Sequence, residues 1–340
     1  MQKSHTGQRM FNIYLKHRKK HLFLLLLVII SILPAKAQKI ESGYITPSDF
    51  EDCNGNKLGE GGVQYISGSF SLHLSIKRVD QIIYRDTGTV NNSEDTKSEV
   101  ANDTIKSIKM WQLTLAGKYS ELDNTGDATP FYPDAIIDAG FMITHIRPLT
   151  YGWNFIATTG ITLNADESYI RRQSINITAG IIFQYRINKN LHVGAGAVCT
   201  TAYGEPVIIP APMVNWKRDG RYTIELNMHG KPELTISTLL NKDTKLTFTP
   251  FDMQRFSAMV NVDGNHKVFL QNIFKSSLGV SYRFAKHWSL EGKAAYIYRH
   301  TVRVQERSFK AFWKELFSSG NRMKYSNSCT FSVGLSYHFR

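Results

Sequence analysis

The sequence predicts an all-β fold: a closed antiparallel transmembrane β-barrel of about 12 strands, with 14 as the alternative. Three observations predict this class. Apolar and polar residues alternate over stretches of eight or more residues, which is the pattern of strands with two different faces. Many of these stretches reach the length of membrane-spanning strands, about 10 residues, whereas soluble strands average about 5–6. Short polar turns also alternate with longer polar segments, as in outer-membrane barrels.

Other all-β folds would alternate too, notably a β-sandwich or a large β-solenoid. The polar positions of these strands are rich in Gly, Ser, Thr, Asn and single charges. A barrel with lipid outside and a polar lumen inside has this composition. Together with strand length, the composition favours the barrel.

Residues 1–37 are expected to form a signal peptide. Basic residues precede an apolar run at 22–33, and Ala-Lys-Ala follows at 35–37. This order is typical of exported proteins. The apolar run is shorter than the ~20 residues that a transmembrane helix needs. We therefore expect export and cleavage after Ala37.

The charge of the exported chain is modest. Residues 1–37 hold seven basic residues and no acidic ones, so the formal net charge falls from +13 for the whole chain to +6 for residues 38–340. The remaining charge is dispersed, which argues against nucleic-acid binding. Cys53, Cys199 and Cys329 are too few and too far apart to predict a disulfide framework or a metal site.

Alternation places the twelve expected strands. They cover residues 108–119, 136–148, 151–163, 174–187, 190–200, 207–217, 220–228, 232–240, 244–251, 271–284, 287–300 and 328–340. Residues 63–78 also alternate and would make thirteen, whereas single-chain bacterial barrels have even numbers. Either a further strand is hidden, with 256–262 as the candidate, or residues 63–78 lie in the lumen or periplasm.

The expected domain organisation follows from these strands. Residues 38–62 are expected to form an N-terminal periplasmic or luminal segment, and residues 63–340 the barrel domain. Residues 85–103 are acidic, rich in Asn and Ser and without apolar period, which predicts a mobile insertion. The short turns are expected to face the periplasm and the longer segments, including 254–272 and 303–325, the exterior.

The last strand is expected to close the barrel, because pairing with the first strand removes both sheet edges. Its apolar residues alternate with small or polar ones. They are Phe331, Val333, Leu335, Tyr337 and Phe339.

The external loop 303–325 contains an apolar set at helical spacing, with basic residues on both sides. The set is Phe309, Phe312, Trp313, Leu316 and Phe317. It predicts a short amphipathic helix. Two roles remain open: a membrane-surface helix on anionic lipopolysaccharide, or a loop helix that folds over the barrel mouth.

Several motifs together resemble a known family. They are "WQLTLAGKYS" (111–120), "THIRPL" followed by Trp153, "YRINKNLHVGAG" (185–196), "TAYGEPVIIP" (201–210), "NWKRDGRY" (215–222) and the closing "SVGLSYHF". The set resembles an uncharacterised outer-membrane β-barrel family of Gram-negative bacteria over roughly residues 60–340. The resemblance implies an outer-membrane barrel and supplies no catalytic residues.

A non-enzymatic role is expected. Residues 194–199 resemble half of a dinucleotide loop but continue a strand, and no Gly-x-Ser-x-Gly elbow is present. No catalytic residue, cofactor or metal is therefore assigned. Arg221, Glu225, Glu291 and Lys293 are candidate lumen-lining residues.

Two functions follow from these residues: a channel for small polar solutes, or a plugged barrel with a structural or surface-binding role. An outer-membrane lipid hydrolase is a third alternative. The expected partners are outer-membrane lipid, lipopolysaccharide and the barrel assembly machinery, with no nucleic acid.

Overall fold

The computed structural model describes residues 37–52, 54–85, 101–126, 133–202, 206–227, 232–262, 264–308, 310–311 and 323–338. Its strands are β1 Ala37–Glu51, β2 Lys57–Arg85, β3 Ala101–Gly126, β4 Ala135–Pro148, β5 Trp153–Asp166, β6 Ile175–Arg186, β7 Leu191–Thr200, β8 Val207–Pro210, β9 Met213–Arg218, β10 Thr223–Asn227, β11 Glu233–Leu239, β12 Thr244–Val262, β13 Asn265–Arg283, β14 Trp288–Glu306, β15 Met323–Tyr325 and β16 Ser328–His338. A 3-10 turn, Arg172–Ser174, precedes β6.

The sixteen segments form a closed antiparallel barrel of fourteen strands. β8 and β9 both pair with β7 and are halves of one strand, interrupted next to Pro212. β15 and β16 both pair with β1 and β14 and are likewise halves of one strand. Every other strand pairs with its neighbours in sequence. The ladder between β1 and β16 closes the ring.

The expected number of twelve was therefore wrong, and the alternative of fourteen is confirmed. The two additional strands are β1 and β2, which pair with each other. Residues 37–51 thus form the first barrel strand instead of a separate periplasmic or luminal segment. Residues 256–262, the candidate partner for 63–78, instead continue β12.

The alternation of apolar and polar residues did not reveal β1, and the reason is local. Its ladder with β2 is irregular between Ile45 and Ser48, next to Pro47. A bulge there shifts the alternation by one residue, so Ile45 and Phe50 are both buried although one is odd-numbered and the other even-numbered. An alternation template cannot follow such a shift.

The outer and inner faces follow the alternation. Large apolar side chains on one face are exposed, as at Ile161 and its cross-strand neighbours Phe141 and Ile177. On the other face, side chains of distant strands meet: the Lys118 ammonium of β3 lies 5.7 Å from the Phe256 ring of β12. Such contacts cross the interior, so this face lines the lumen.

The two ends of the barrel differ. Ala37 pairs with His338, and the short turns 149–152, 187–190, 219–222, 240–243 and 284–287 lie at that same end because successive strands are antiparallel. In two of these turns an asparagine side chain fixes the geometry. Asn188 Oδ1 accepts the N–H groups of Asn190 and Leu191, and Asn241 Oδ1 accepts those of Asp243 and Thr244.

Two expected segments lie partly outside the described residues. Arg85 and residues 101–103, the edges of the expected insertion, belong to the β2–β3 ladder, and residues 86–100 are outside the description. Of the expected helix, Phe309, Phe312, Trp313, Leu316 and Phe317 lie outside it. The described part of the chain contains no complete α-helix, so the loop helix is not supported.

A hairpin crosses the end of the barrel opposite the short turns. β12 and β13 pair from Thr244–Tyr282 to Val262–Asn265. In their distal half, Met259 makes a parallel bridge with Ala165 of β5, which lies on the far side of the ring. Tyr169, which follows β5, also contacts His266 across this mouth, with Oη 2.5 Å from Nδ1. The hairpin therefore spans the mouth.

Apolar packing holds this hairpin inside the barrel. A buried cluster surrounds one of its faces. Its members are Phe50, Leu122, Ile136, Ala258, Val260, Val262, Phe269, Val302 and Tyr325. Burying one such large side chain stabilises by about 1.5–3 kcal/mol, so the cluster is a substantial part of the folding energy. The core of this molecule thus lies in the mouth of the barrel, between hairpin and wall.

Candidate functional site

A cavity lined by charged, polar and small apolar residues lies in the lumen. Its volume is about 390 Å³, within the range of pockets that hold small molecules. Strands β1 to β5 supply its lining. Its polar members are Lys39, Glu41, Ser67, Ser69, Lys118, Asp138, Thr162 and Asn164. Alternation explains the set, because each of these residues occupies an inward position of its strand.

Lys39 and Glu41 belong to a closed ionic network. Lys39 Nζ lies 2.8 Å from Glu41 Oε2 and 2.9 Å from Glu291 Oε2 of β14. Tyr65 donates its hydroxyl to Glu41 at 3.0 Å. Gly43 makes room for Tyr65, since a β-carbon at residue 43 would overlap the ring. This network ties the first strand to the last strands across the closure.

Lys118 and Asp138, unlike Lys39 and Glu41, do not form an ion pair with each other. They are direct cross-strand partners on β3 and β4, yet no ion pair joins them within the described residues. The Lys118 ammonium lies 4.6 Å from the Tyr65 ring centroid and 5.7 Å from that of Phe256. Asp138 Oδ1 accepts a hydrogen bond from Asn164 Nδ2. Two opposite charges thus face one cavity, each held by another partner.

Asn164 continues into a short polar chain. Its Oδ1 accepts a hydrogen bond from Asn176 Nδ2 at 3.2 Å, and the same Asn176 amide also donates to the backbone carbonyl of Ser174 at 3.4 Å. This chain fixes which end of the Asn164 amide points to Asp138. Asn164 therefore presents a donor, never an acceptor, to the carboxylate.

β12 leaves its wall neighbour β11 at a defined bend, while β13 stays paired with β14 as far as Lys267 and Glu306. Pro250 lies in β12 and donates no backbone hydrogen bond, and the β12–β13 ladder is irregular between Thr249 and Asp252. Ser276 of β13 donates to the Pro250 carbonyl at 2.6 Å. Just beyond the bend, the fully buried Asp252 lies 3.8 Å from Lys275 Nζ. These contacts fix the hairpin at its base.

The candidate lumen residues fall in different places. Glu291 and Lys293 lie on the inner face of β14, and Glu291 belongs to the ionic network. Glu225 lies on the inner face of β10, 3.0 Å from Lys217 and near the short turns. Arg221 lies in the turn before β10, exposed, with its guanidinium over the Tyr222 ring. The structure does not bring these four residues together.

The closing strand has its apolar residues on the outer face of the barrel. Phe331, Val333 and Leu335 are exposed on the outer face. The Tyr337 ring packs edge-on against Trp288, with 4.7 Å between centroids. Phe339 lies outside the described residues.

Sequence reasoning missed the cavity residues Lys39, Glu41 and Asp138. Lys39 and Glu41 were hidden because residues 38–62 were assigned to a segment outside the barrel. Their spacing at i, i+2 ahead of Gly43 is the signal that could have shown an inward-facing strand. No sequence signal marks the crossing of the lumen by β12.

Two further findings concern the described residues only. They contain no helix long and apolar enough to span a membrane. No group of three or more His, Cys, Asp or Glu side chains in this part of the chain is arranged to hold a metal ion.

Solved structures resemble the chain at low identity. The COG4313 outer membrane channel from Pseudomonas putida F1 is 8% identical, covers 90% of this chain and 97% of its own, and gives a TM-score of 0.42. The NanC porin is 7% identical, with 89% and 100% covered and a TM-score of 0.33. The outer membrane protease OmpT from Escherichia coli is 9% identical, with 89% and 97% covered and a TM-score of 0.27.

No curated protein matches the sequence significantly. A family model does match: the one described as "Domain of unknown function (DUF6268)" covers residues 95–338, which is more than half of the chain. This agrees with the resemblance stated from the motifs. The chain therefore belongs to the DUF6268 family, whose domain is one of unknown function and folds here as a closed β-barrel.

Proposed function

We propose that this protein is a non-enzymatic outer-membrane barrel through which small polar solutes pass when the β12–β13 hairpin moves aside. The carrying observation is the hairpin that crosses the mouth above a cavity with charged residues in its lining. The ring of fourteen strands is wide enough to enclose more than its own side chains, since barrel diameter grows with strand number. A lumen with charged residues whose mouth is crossed by strands of the wall itself suits a gated channel, in which β12 and β13 would move together with the distal part of β14, to which β13 stays paired.

The orientation belongs to the same proposal. Short turns of bacterial outer-membrane barrels face the periplasm, so the hairpin would occupy the external mouth. Export by the signal peptide and insertion by the barrel assembly machinery bring the chain there, with lipopolysaccharide around its outer end. The exposed apolar outer face would then contact lipid.

A second candidate function is a permanently plugged barrel with a structural or surface-binding role. The observation that favours it is the buried cluster around the hairpin, because displacing the hairpin would expose Ala258, Val260 and Phe269. The two functions differ in one property. In the channel the hairpin moves and lets solute pass, whereas in the plugged barrel it stays in place.

A disulfide lock distinguishes the two functions. In a background with Cys53, Cys199 and Cys329 changed to Ser, Ala165→Cys and Met259→Cys place thiols on bridged residues of β5 and β12. The spacing of such partners falls within the reach of a disulfide. Single-channel conductance of the refolded chain in a planar bilayer is measured before and after oxidation, with the single Met259→Cys variant as control.

The gated channel predicts open steps in the reduced double variant, an open probability at least about tenfold lower after oxidation, and recovery on reduction. The single variant should conduct in both states. Equal conductance of the oxidised and reduced double variant would show that the hairpin is not the gate. Insertion without conductance in every variant would replace the channel by the plugged barrel.

A further inference from the structure

We propose that the luminal cavity binds a small zwitterion of amino-acid or dipeptide size, with its anionic group at Lys118 and its cationic group at Asp138. The inference deepens the proposed function, on which it rests, by naming the class of solute.

Directly opposed residues on neighbouring antiparallel strands have β-carbons about 4.5–5.5 Å apart. Lys118 and Asp138 are opposed in this way, so their side chains could reach each other. The structure separates them instead. Lys118 turns to Tyr65 and Phe256, and Asp138 turns to Asn164.

The Lys118 ammonium keeps its hydrogen-bonding capacity. Aromatic faces attract a cation electrostatically, but they do not replace oxygen acceptors for its three N–H groups. In the described part of the chain no carboxylate lies within 4.0 Å of its Nζ. The cavity therefore contains a cation that an anionic ligand group could pair with directly.

Asp138 is the anion of the cavity that corresponds to the Lys118 cation. Asn164 donates to Oδ1, and no described residue donates to Oδ2. The remaining charges of the lining, Lys39 and Glu41, already pair with each other, and Lys39 also pairs with Glu291. Lys118 and Asp138 are thus the two lining charges that make no ion pair within 4.0 Å among the described residues, although they attract each other across the cavity.

The neighbourhood of the two charges selects the ligand class. A simple anion at Lys118 would meet the Asp138 carboxylate on the adjacent strand, and a simple cation at Asp138 would meet the Lys118 ammonium. Like charges at such distances in a partly desolvated site repel. A molecule that carries both charges satisfies both residues. The hydroxyls of Ser67, Ser69 and Thr162 supply further polar contacts for it.

The test uses the refolded full exported chain in detergent and isothermal titration calorimetry. The probes are L-alanyl-L-alanine, its N-acetyl derivative, which lacks the cation, and its C-terminal amide, which lacks the anion. We expect each derivative to bind at least about tenfold more weakly than the zwitterion, since losing one charge contact of about 1.4 kcal/mol is a factor of ten.

Variants of Lys118 and Asp138 test which residue binds each charged end of the ligand. Lys118→Met should weaken zwitterion binding about tenfold and abolish the preference over the amide, and Asp138→Asn should do the same for the N-acetyl derivative. Lys217→Met is the matched control: it removes one luminal lysine near the short turns, where Lys217 pairs with Glu225, and should leave binding unchanged. Heat-modified gel mobility verifies that each variant is folded.

Equal binding of the three probes, absent binding of L-alanyl-L-alanine, or folded variants that bind like the parent would overturn the inference. The result is independent of the gating experiment. Selective zwitterion binding without conductance would remove the channel alone, whereas conductance without zwitterion preference would remove the zwitterion site alone.

Discussion

At the scale of single residues, Asp52 organises the turn between β1 and β2. Its carboxylate accepts the side-chain amide of Asn56 at 3.0 Å and the backbone N–H groups of Asn54 and Asn56, both at 2.8 Å. The hydrogen bond from the Asn56 side chain is the main reason that the pKa of Asp52 lies below its ordinary value, followed by that from the Asn56 backbone. These bonds favour the charged form.

Acid should weaken this turn. A depressed folded-state pKa means that the turn is stabilised above the ordinary aspartate pKa, and that the contribution is lost as pH falls through the folded value. We expect a carboxyl NMR titration to give an Asp52 pKa below the ordinary aspartate range. Asn56→Ala should raise it. An unchanged pKa in Asn56→Ala would assign the shift to the backbone donors alone.

The two faces of β10 should tolerate an arginine to different degrees. Leu226 pairs with Trp216 and Leu234 on the outer face, and Thr223 pairs with the buried Ser237 on the inner face. Leu226→Arg should therefore lower the free energy of unfolding by about 2–4 kcal/mol near the bilayer midplane, because the arginine would face lipid. Thr223→Arg should cost much less. Urea titration of both variants in lipid vesicles measures the difference, and equal losses would reverse the assignment of faces.

At the scale of elements, the hairpin is the part of the sheet that departs from a simple barrel. Its base carries the buried ion pair between Asp252 and Lys275. Breaking a buried ion pair by removing one partner typically costs about 3–5 kcal/mol. Asp252→Ala should lower the free energy of unfolding by that amount.

Asp243→Ala is the control for this prediction, since Asp243 is exposed in the turn before β12. It should change the free energy of unfolding by no more than about 0.5 kcal/mol. A loss of less than about 1 kcal/mol in Asp252→Ala would mean that Lys275 finds water or another acceptor once Asp252 is gone.

The ribbon formed by β2 and β3 also departs from the barrel. Beyond Ser71 the β2 ladder with β1 ends, and before Met110 the β3 ladder with β4 has not begun. Residues 77–85 and 101–109 therefore pair only with each other. The described ends of the expected insertion are thus part of a long hairpin at the end with the short turns.

At the scale of the whole molecule, closure depends on the first and last strands. Ser42 of β1 is the register partner of Val333 of β16, and opposed residues of antiparallel strands are spaced for a disulfide. In the cysteine-free background, Ser42→Cys with Val333→Cys should therefore cross-link on mild oxidation of the membrane-inserted protein.

Ser42→Cys with Val280→Cys is the matched control, because Val280 also faces outward but lies on β13, separated from β1 by two strands. A band shift on non-reducing gels measures the cross-link. A cross-link in the control but not in the first pair would place β1 elsewhere. No cross-link in either would leave residues 37–51 outside the barrel wall.

How well the strands could be predicted from the sequence differs from one strand to the next. In β3 to β7 and in β13 to β16, apolar and polar residues alternate because one face of each strand meets lipid and the other meets the lumen. These strands and the all-β class were therefore predictable. β1 was not, because its bulge near Pro47 breaks the period. In the site, Lys118 could be placed on the polar face of its strand, but its partners Tyr65, Asp138 and Phe256 are set by register and by the far wall.

The sequence by itself determined the barrel class, the closing strand and the asymmetry of turns and loops, since each depends on local periodicity and turn chemistry. Only the tertiary structure decided the strand number, the path of the β12–β13 hairpin across the mouth and the separation of Lys118 from Asp138. The physical reason is that these features depend on contacts between strands far apart in the chain, and hydrophobic burial is non-directional. The pattern that buries Ala258 and Val260 inside the mouth would also suit an outer wall in contact with lipid.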